Sequence, residues 1–173
     1  MPASPLYQLL AEEHSRKQCD RIVNYIGKDK DRFADLMGLF LKGEYRITQR
    51  AAWPLSYCVR QHPVLIGPYW KRLLDNLAKE GIHVAVVRNT VRLLQDIQIP
   101  PKYQGRVMSL CFDFLQSPET LIAVKAFSLT VLQHLSKDYP EILPELKLMI
   151  EEQWDQAPPA FRSRAKRVLK NLK

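Results

Sequence analysis

Leu121-Ile122-Ala123-Val124-Lys125-Ala126-Phe127-Ser128-Leu129-Thr130-Val131-Leu132-Gln133-His134-Leu135 is the stretch that decides the fold class. Its apolar residues recur at three and four rather than at two, the period of a helix. At 100° per residue, Leu121, Ile122, Val124, Phe127, Leu129, Val131, Leu132 and Leu135 cover nearly the whole circumference. A helix that is apolar on every side has to be interior, packed between other helices. The same three-and-four spacing runs through the rest of the chain, so the protein is expected to be all-α.

Breaks divide the chain into segments of ordinary helical length. They fall at Gly27–Asp31, Gly43-Glu44, His62-Pro63, Glu80-Gly81, Pro100-Pro101, Ser117-Pro118, Tyr139-Pro140 and Ala157-Pro158-Pro159. Ser117-Pro118-Glu119 reads as a helix start, with a capping Ser, a first-turn Pro and an acid, and Pro158-Pro159 is expected to open the last helix. The β-branched run Ile82-His83-Val84-Ala85-Val86-Val87 could be a strand, but its continuation at helical spacing through Arg88–Ile97 favours helix. Pro54 predicts a kink in the helix that carries Trp53.

One local pattern repeats. Gln49-Arg50-Ala51-Ala52-Trp53, Val87-Arg88-Asn89-Thr90-Val91, Val124-Lys125-Ala126-Phe127-Ser128 and Ser163-Arg164-Ala165 each set a base before small or apolar residues, with the bases 38, 37 and 39 positions apart. Each lies in a helix preceded by another apolar helix, at Phe33–Leu41, Tyr69–Ala78, Val107–Leu115 and Leu143–Trp154. The pattern, over about residues 30–173 with a leading helix near 15–27, resembles HEAT repeats. The resemblance implies a right-handed α-α superhelix, a HEAT-like solenoid of about four helical hairpins plus an N-terminal helix. It implies a single domain over 1–173, with a capping region at 1–29, repeats over 30–157 and a capping helix at 158–173. It also implies a stacked polar ladder in which an acid stands six residues before each base. Glu44 and Glu119 stand there for Arg50 and Lys125, whereas Ile82 and Pro158 depart from it. Such stacking agrees with elementary packing, because a lone hairpin cannot bury its own apolar face.

Composition bounds the chemistry. The chain has 173 residues, 46% apolar and 25% charged, with 3 Cys, which fits a globular domain and excludes disordered, collagen-like and disulfide-stapled classes. Its net charge of +8 is concentrated: residues 1–157 contribute +2 and residues 158–173 contribute +6, from Arg162, Arg164, Lys166, Arg167, Lys170 and Lys173 with no acid. Phe161, Ala165, Val168, Leu169 and Leu172 form a stripe opposite Arg162, Lys166, Arg167, Lys170 and Lys173, so the last helix is expected to keep one face wet.

Cys19, Cys58 and Cys111 are expected to be buried free thiols in a reducing compartment. With no charged-then-apolar N-terminal pattern and no apolar run of about 18 residues, the protein is expected to be cytoplasmic and not membrane-bound. His14, His62, His83 and His134 share no ligand spacing. There is no Cys-x-x-Cys, no Gly-rich phosphate loop and no nucleophile elbow, so no metal, cofactor or catalytic residue is expected.

The repeated bases support two readings. They can satisfy carboxylates and carbonyls between stacked repeats. Alternatively, the resemblance implies that second helices line a concave groove, on which Arg46, Arg50, Arg88, Arg92, Lys125, Arg162 and Lys166 form a positive track with Trp53 and Tyr57 as stacking surfaces, extended by Arg167 and Lys170. The resemblance implies a non-enzymatic binding module that recognises a macromolecular partner, a protein, through that face. The alternative is a nucleic-acid-binding protein similar to the HEAT-like alkylpurine DNA glycosylases. Base excision needs an anion near the developing oxocarbenium, and the second helices carry none at 46–61 or 158–172.

Overall fold

A computed structural model of the chain describes residues 4–42 and 44–171. Residues 1–3, Gly43 of the Gly43-Glu44 break, and Leu172 and Lys173 of the last helix lie outside the described residues. Among those described, the protein is all-α, with ten α-helices and two 3₁₀ segments. The chain divides into two compact units, Met1–Asn89 and Thr90–Lys173.

The first unit holds α1 (Pro5–Glu12), α2 (Arg16–Ile26), α3 (Lys30–Lys42), α4 (Tyr45–Gln61), a 3₁₀ segment (Pro63–Tyr69) and α5 (Trp70–Leu77). The start of α6 (Val84–Leu94) also belongs to it. Three caps follow from the sequence. Ser4 Oγ accepts from the Tyr7 N–H at 3.2 Å and Ser15 Oγ from the Gln18 N–H at 3.1 Å, each satisfying a first-turn donor with no helical partner. Asp29 Oδ1 accepts from the N–H groups of Asp31 and Arg32, and those bonds hold its carboxyl below the ordinary range. α2 ends at Gly27, whose φ of +50° suits a residue without Cβ. α4 continues through Pro54, which is buried. α4 packs against α1, α2 and α3, and the core gathers Leu6, Leu10, Ile22, Phe33, Phe40, Leu55 and Leu74, all at 2% exposure or less.

The second unit holds the rest of α6, then α7 (Pro101–Gln116), α8 (Ile122–Leu135), α9 (Leu143–Gln153) and α10 (Pro159–Asn171). α8 is the interior helix its composition demands, with α7 on one side and α10 on another. The β-branched run before Arg88 is helical: α6 begins at Val84, and His83 Nδ1 accepts from the Ala85 N–H at 3.1 Å.

Three expectations need correction. α1 is a helix ahead of the single leading helix expected near 15–27. Ser117-Pro118-Glu119 starts no helix: the Thr120 N–H closes on the Ser117 carbonyl at 3.3 Å, making a Pro-containing turn, and α8 waits until Ile122. Leu121 therefore precedes the first turn and is 45% exposed rather than part of the apolar circumference.

Candidate functional site

Arg50, Trp53 and Tyr57 share one face of α4, and Leu10, Ala11, His14 and Arg16 of the same chain engage all three. The last four carbonyls of any helix lack internal partners. In α1 three of them are satisfied from outside: the Gln18 side chain donates to the Leu9 carbonyl at 2.6 Å, and Arg50 Nη1 donates to those of Leu10 and Ala11 at 2.9 and 2.8 Å. A cation at this end also meets the negative pole of the helix. Trp53 meets the His14 ring edge-on at 5.4 Å. Arg16 lies 4.7 Å over the Tyr57 ring and donates to its hydroxyl at 2.9 Å. Arg46, four residues before Arg50, is exposed.

On α6, Arg88 is half-buried and Arg92 is exposed. In the second unit the two remaining bases of the repeat reach across helices. Lys125 of α8 donates from Nζ to Gln153 Oε1 of α9 at 3.1 Å, and the Gln153 amide donates in turn to the carbonyls of Leu115, in the last turn of α7, and Met149. Arg164 of α10 donates to Gln95 Oε1 at 2.8 Å and to Thr130 Oγ1 of α8 at 2.5 Å. Burial lowers the pKa of both bases. The acids expected to complete the ladder do not: Glu44 and Glu119 are exposed, and among the described residues neither is ion-paired with Arg50 or Lys125. Exposed carboxylates gain little by pairing, whereas helix-end carbonyls inside the fold require a donor.

Arg162, Lys166, Arg167 and Lys170 are all exposed on α10, while Phe161, Ala165 and Val168 are buried and Leu169 is half-buried. None of the four bases belongs to an ion pair among the described residues.

Beside α8 lies an open cavity of about 260 Å³, lined by Ile122, Lys125, Glu152, Gln153, Gln156, Ala157, Pro158 and Phe161. Trp154 and Asp155, an aromatic–acid pair in the sequence, do not line it. Gln18 and Gln153, which fix these arrangements, carry no motif. Their signal is an amide in an apolar stripe, beside Ile22 for one and beside Met149 and Ile150 for the other.

The three thiols are free and buried, and burial pushes Cys19 up to about 11 and Cys58 and Cys111 to about 12, the opposite of nucleophile activation. Among the described residues no group of three or more His, Cys, Asp or Glu could hold a metal ion, and no helix is long and apolar enough to cross a membrane. A family model described as a HEAT repeat domain matches residues 6–172. No curated protein and no solved structure matches.

Proposed function

The chain belongs to the HEAT repeat domain family, and from that premise we propose that it is a non-enzymatic binding module whose recognition surface is the basic face of α10, its partner a protein carrying an acidic segment. One observation carries this reading: Arg162, Lys166, Arg167 and Lys170 stand exposed along one helix, with no acid anywhere in residues 158–173 to neutralise them. The stripe at 162, 166 and 170 repeats every four residues, so successive turns offer a cation about every 6 Å, a spacing that an extended acidic peptide can follow.

Arg50 and Arg164 each donate two intramolecular hydrogen bonds and Lys125 donates one, whereas Arg46 and Arg92 are exposed cations on their own helices. A second reading, phosphates of nucleic acid on the same α10 face, is favoured by the same lack of acids, since phosphate binding rests on unopposed cations and falls steeply with salt.

Fluorescence anisotropy with a labelled eight-residue Glu/Asp peptide and a labelled 20-base-pair duplex tests both. The wild-type chain is expected to bind the peptide at 50 mM salt and to weaken at 200 mM. The triple substitution Lys166→Glu, Arg167→Glu, Lys170→Glu should reduce affinity at least tenfold. These three side chains are exposed, so thermal stability should change little. Equal binding by the variant overturns the assignment of the face; tighter binding of the duplex than of the peptide at matched salt replaces the protein reading with the nucleic-acid one.

A further inference from the structure

Lys125 is a buried cation without a counter-charge. Its side chain is on an interior helix and the residue is 8% exposed. An ammonium has three N–H donors, and one protein acceptor is in place, Gln153 Oε1 at 3.1 Å. That acceptor cannot turn away, because the Gln153 amide nitrogen is held by the carbonyls of Leu115 and Met149 at 3.0 and 3.2 Å. No carboxylate forms an ion pair with Lys125 among the described residues. Glu152, the one acid lining the cavity, is exposed. A cation that lines an open cavity and has no carboxylate partner in the fold is available to an anion that enters it.

The surroundings provide room for that partner. Lys125 lines the cavity of about 260 Å³, and Ile122, Ala157, Pro158 and Phe161 give it apolar walls. Gln153, Gln156 and the exposed Glu152 complete the lining, so Lys125 is its one cation, and a pocket with apolar walls and a single cation orients a ligand by its ionic end and binds it by its body. Its volume suits a single carboxylate with a short aliphatic stem.

We infer that this cavity is a carboxylate-binding site, in which Lys125 Nζ pairs with the ligand's carboxylate while Ile122, Ala157 and Phe161 hold its apolar stem. Both an acidic side chain of a partner protein and a free small carboxylic acid carry that group. The first source deepens the binding-module reading and rests on it, since Phe161 lies in the first turn of α10 and Pro158 immediately precedes it, and the exposed face of that helix is assigned to the acidic partner. The second source is independent of that reading.

The test is an amide-resolved NMR titration of the full chain with hexanoate and, as its neutral counterpart, hexanamide. Hexanoate is expected to perturb residues 122–125 and 152–161 and to bind at least tenfold more tightly than hexanamide. Lys125→Met keeps the apolar stem and removes the charge, so it should erase that preference. Ala157→Leu, which fills the cavity and leaves Lys125 in place, should abolish binding of both probes. The triple α10 substitution should leave hexanoate binding intact, which separates this site from the basic face. A wild-type chain that does not distinguish the two probes, or a Lys125→Met chain that still does, overturns the assignment. With hexanoate binding established, loss of acidic-peptide affinity in Lys125→Met identifies the source as a partner side chain; unchanged peptide affinity identifies it as a free acid.

Discussion

Replacing Arg50 by methionine is expected to destabilise the chain by about 2–3 kcal/mol, because its Nη1 supplies the donor for two carbonyls at the end of α1 and charged hydrogen bonds of this kind contribute about 1.5–3 kcal/mol. Methionine preserves the stem and the helix propensity of α4, so the loss falls on the guanidinium. The effect should be regional. α1 is only eight residues long, too short to persist unsupported, and it is held by the burial of Leu6 and Leu10 as well as by these bonds. Amide exchange should therefore accelerate over residues 5–12 first, and the melting temperature should fall by about 4–12 °C for a chain of this size. The outcome also decides what the face of α4 is for. A variant that melts like the wild type but binds the acidic peptide more weakly would make Arg50 a contact residue and α1 a dispensable cover. Lost protection in α1 with unchanged peptide affinity would confirm that Arg50 closes the end of that helix.

The repeat of bases at 38, 37 and 39 residues was visible in the sequence, and so were the interior place of α8 and the wet face of the last helix, since both depend on one local quantity, the angular spread of apolar side chains. The destination of each base was not visible. Arg50 and Lys125 stand six residues after an acid in both cases, yet one ends on the carbonyls of a helix 40 positions earlier and the other on an amide 28 positions later. Such partners are fixed by which helix ends come together, a property of packing rather than of spacing. Helix starts show the same limit. Ser4-Pro5 and Ser117-Pro118 are the same signal, but the first is followed by Leu6 and Leu10, which bury at one-turn spacing and hold a helix, whereas the Pro118 and Glu119 that follow the second are exposed. Local capping permits a helix, and burial of its face decides whether one forms there. The basic face of α10 was legible because exposed charge needs no partner to place it.

Raising the pH should destabilise the protein progressively above pH 9, and the buried thiols set the direction. Cys58 and Cys111 are each 1% exposed, and burial holds both at about 12 against an ordinary value of 9.0. Below pH 9 each thiol is protonated whether the chain is folded or not, so it contributes no pH dependence. Between pH 9 and about 12 the unfolded chain loses these protons while the folded chain keeps them, so the unfolded state gains about 1.4 kcal/mol per thiol for each pH unit. The two together give a fall approaching 3 kcal/mol per pH unit, and Cys19, raised to about 11, adds to it. Lys125 opposes this trend. Burial lowers its pKa below the ordinary 10.5, so between the two values the unfolded chain holds the extra proton and stability rises with pH. One amine against three thiols leaves the net slope negative, and the fall accumulated over two or three pH units, about 5–10 kcal/mol, is comparable with a typical total stability of about 5–15 kcal/mol. Denaturant titrations at pH 8, 9, 10 and 11 should show this decline. In Cys19→Ala, Cys58→Ala, Cys111→Ala the starting stability should be lower, but the decline should flatten by most of its slope. Lys125→Met in the wild-type background should steepen it. An equally steep fall in the thiol-free chain would place the alkaline transition elsewhere and show that the three sulfurs titrate in the folded state much as they do in water.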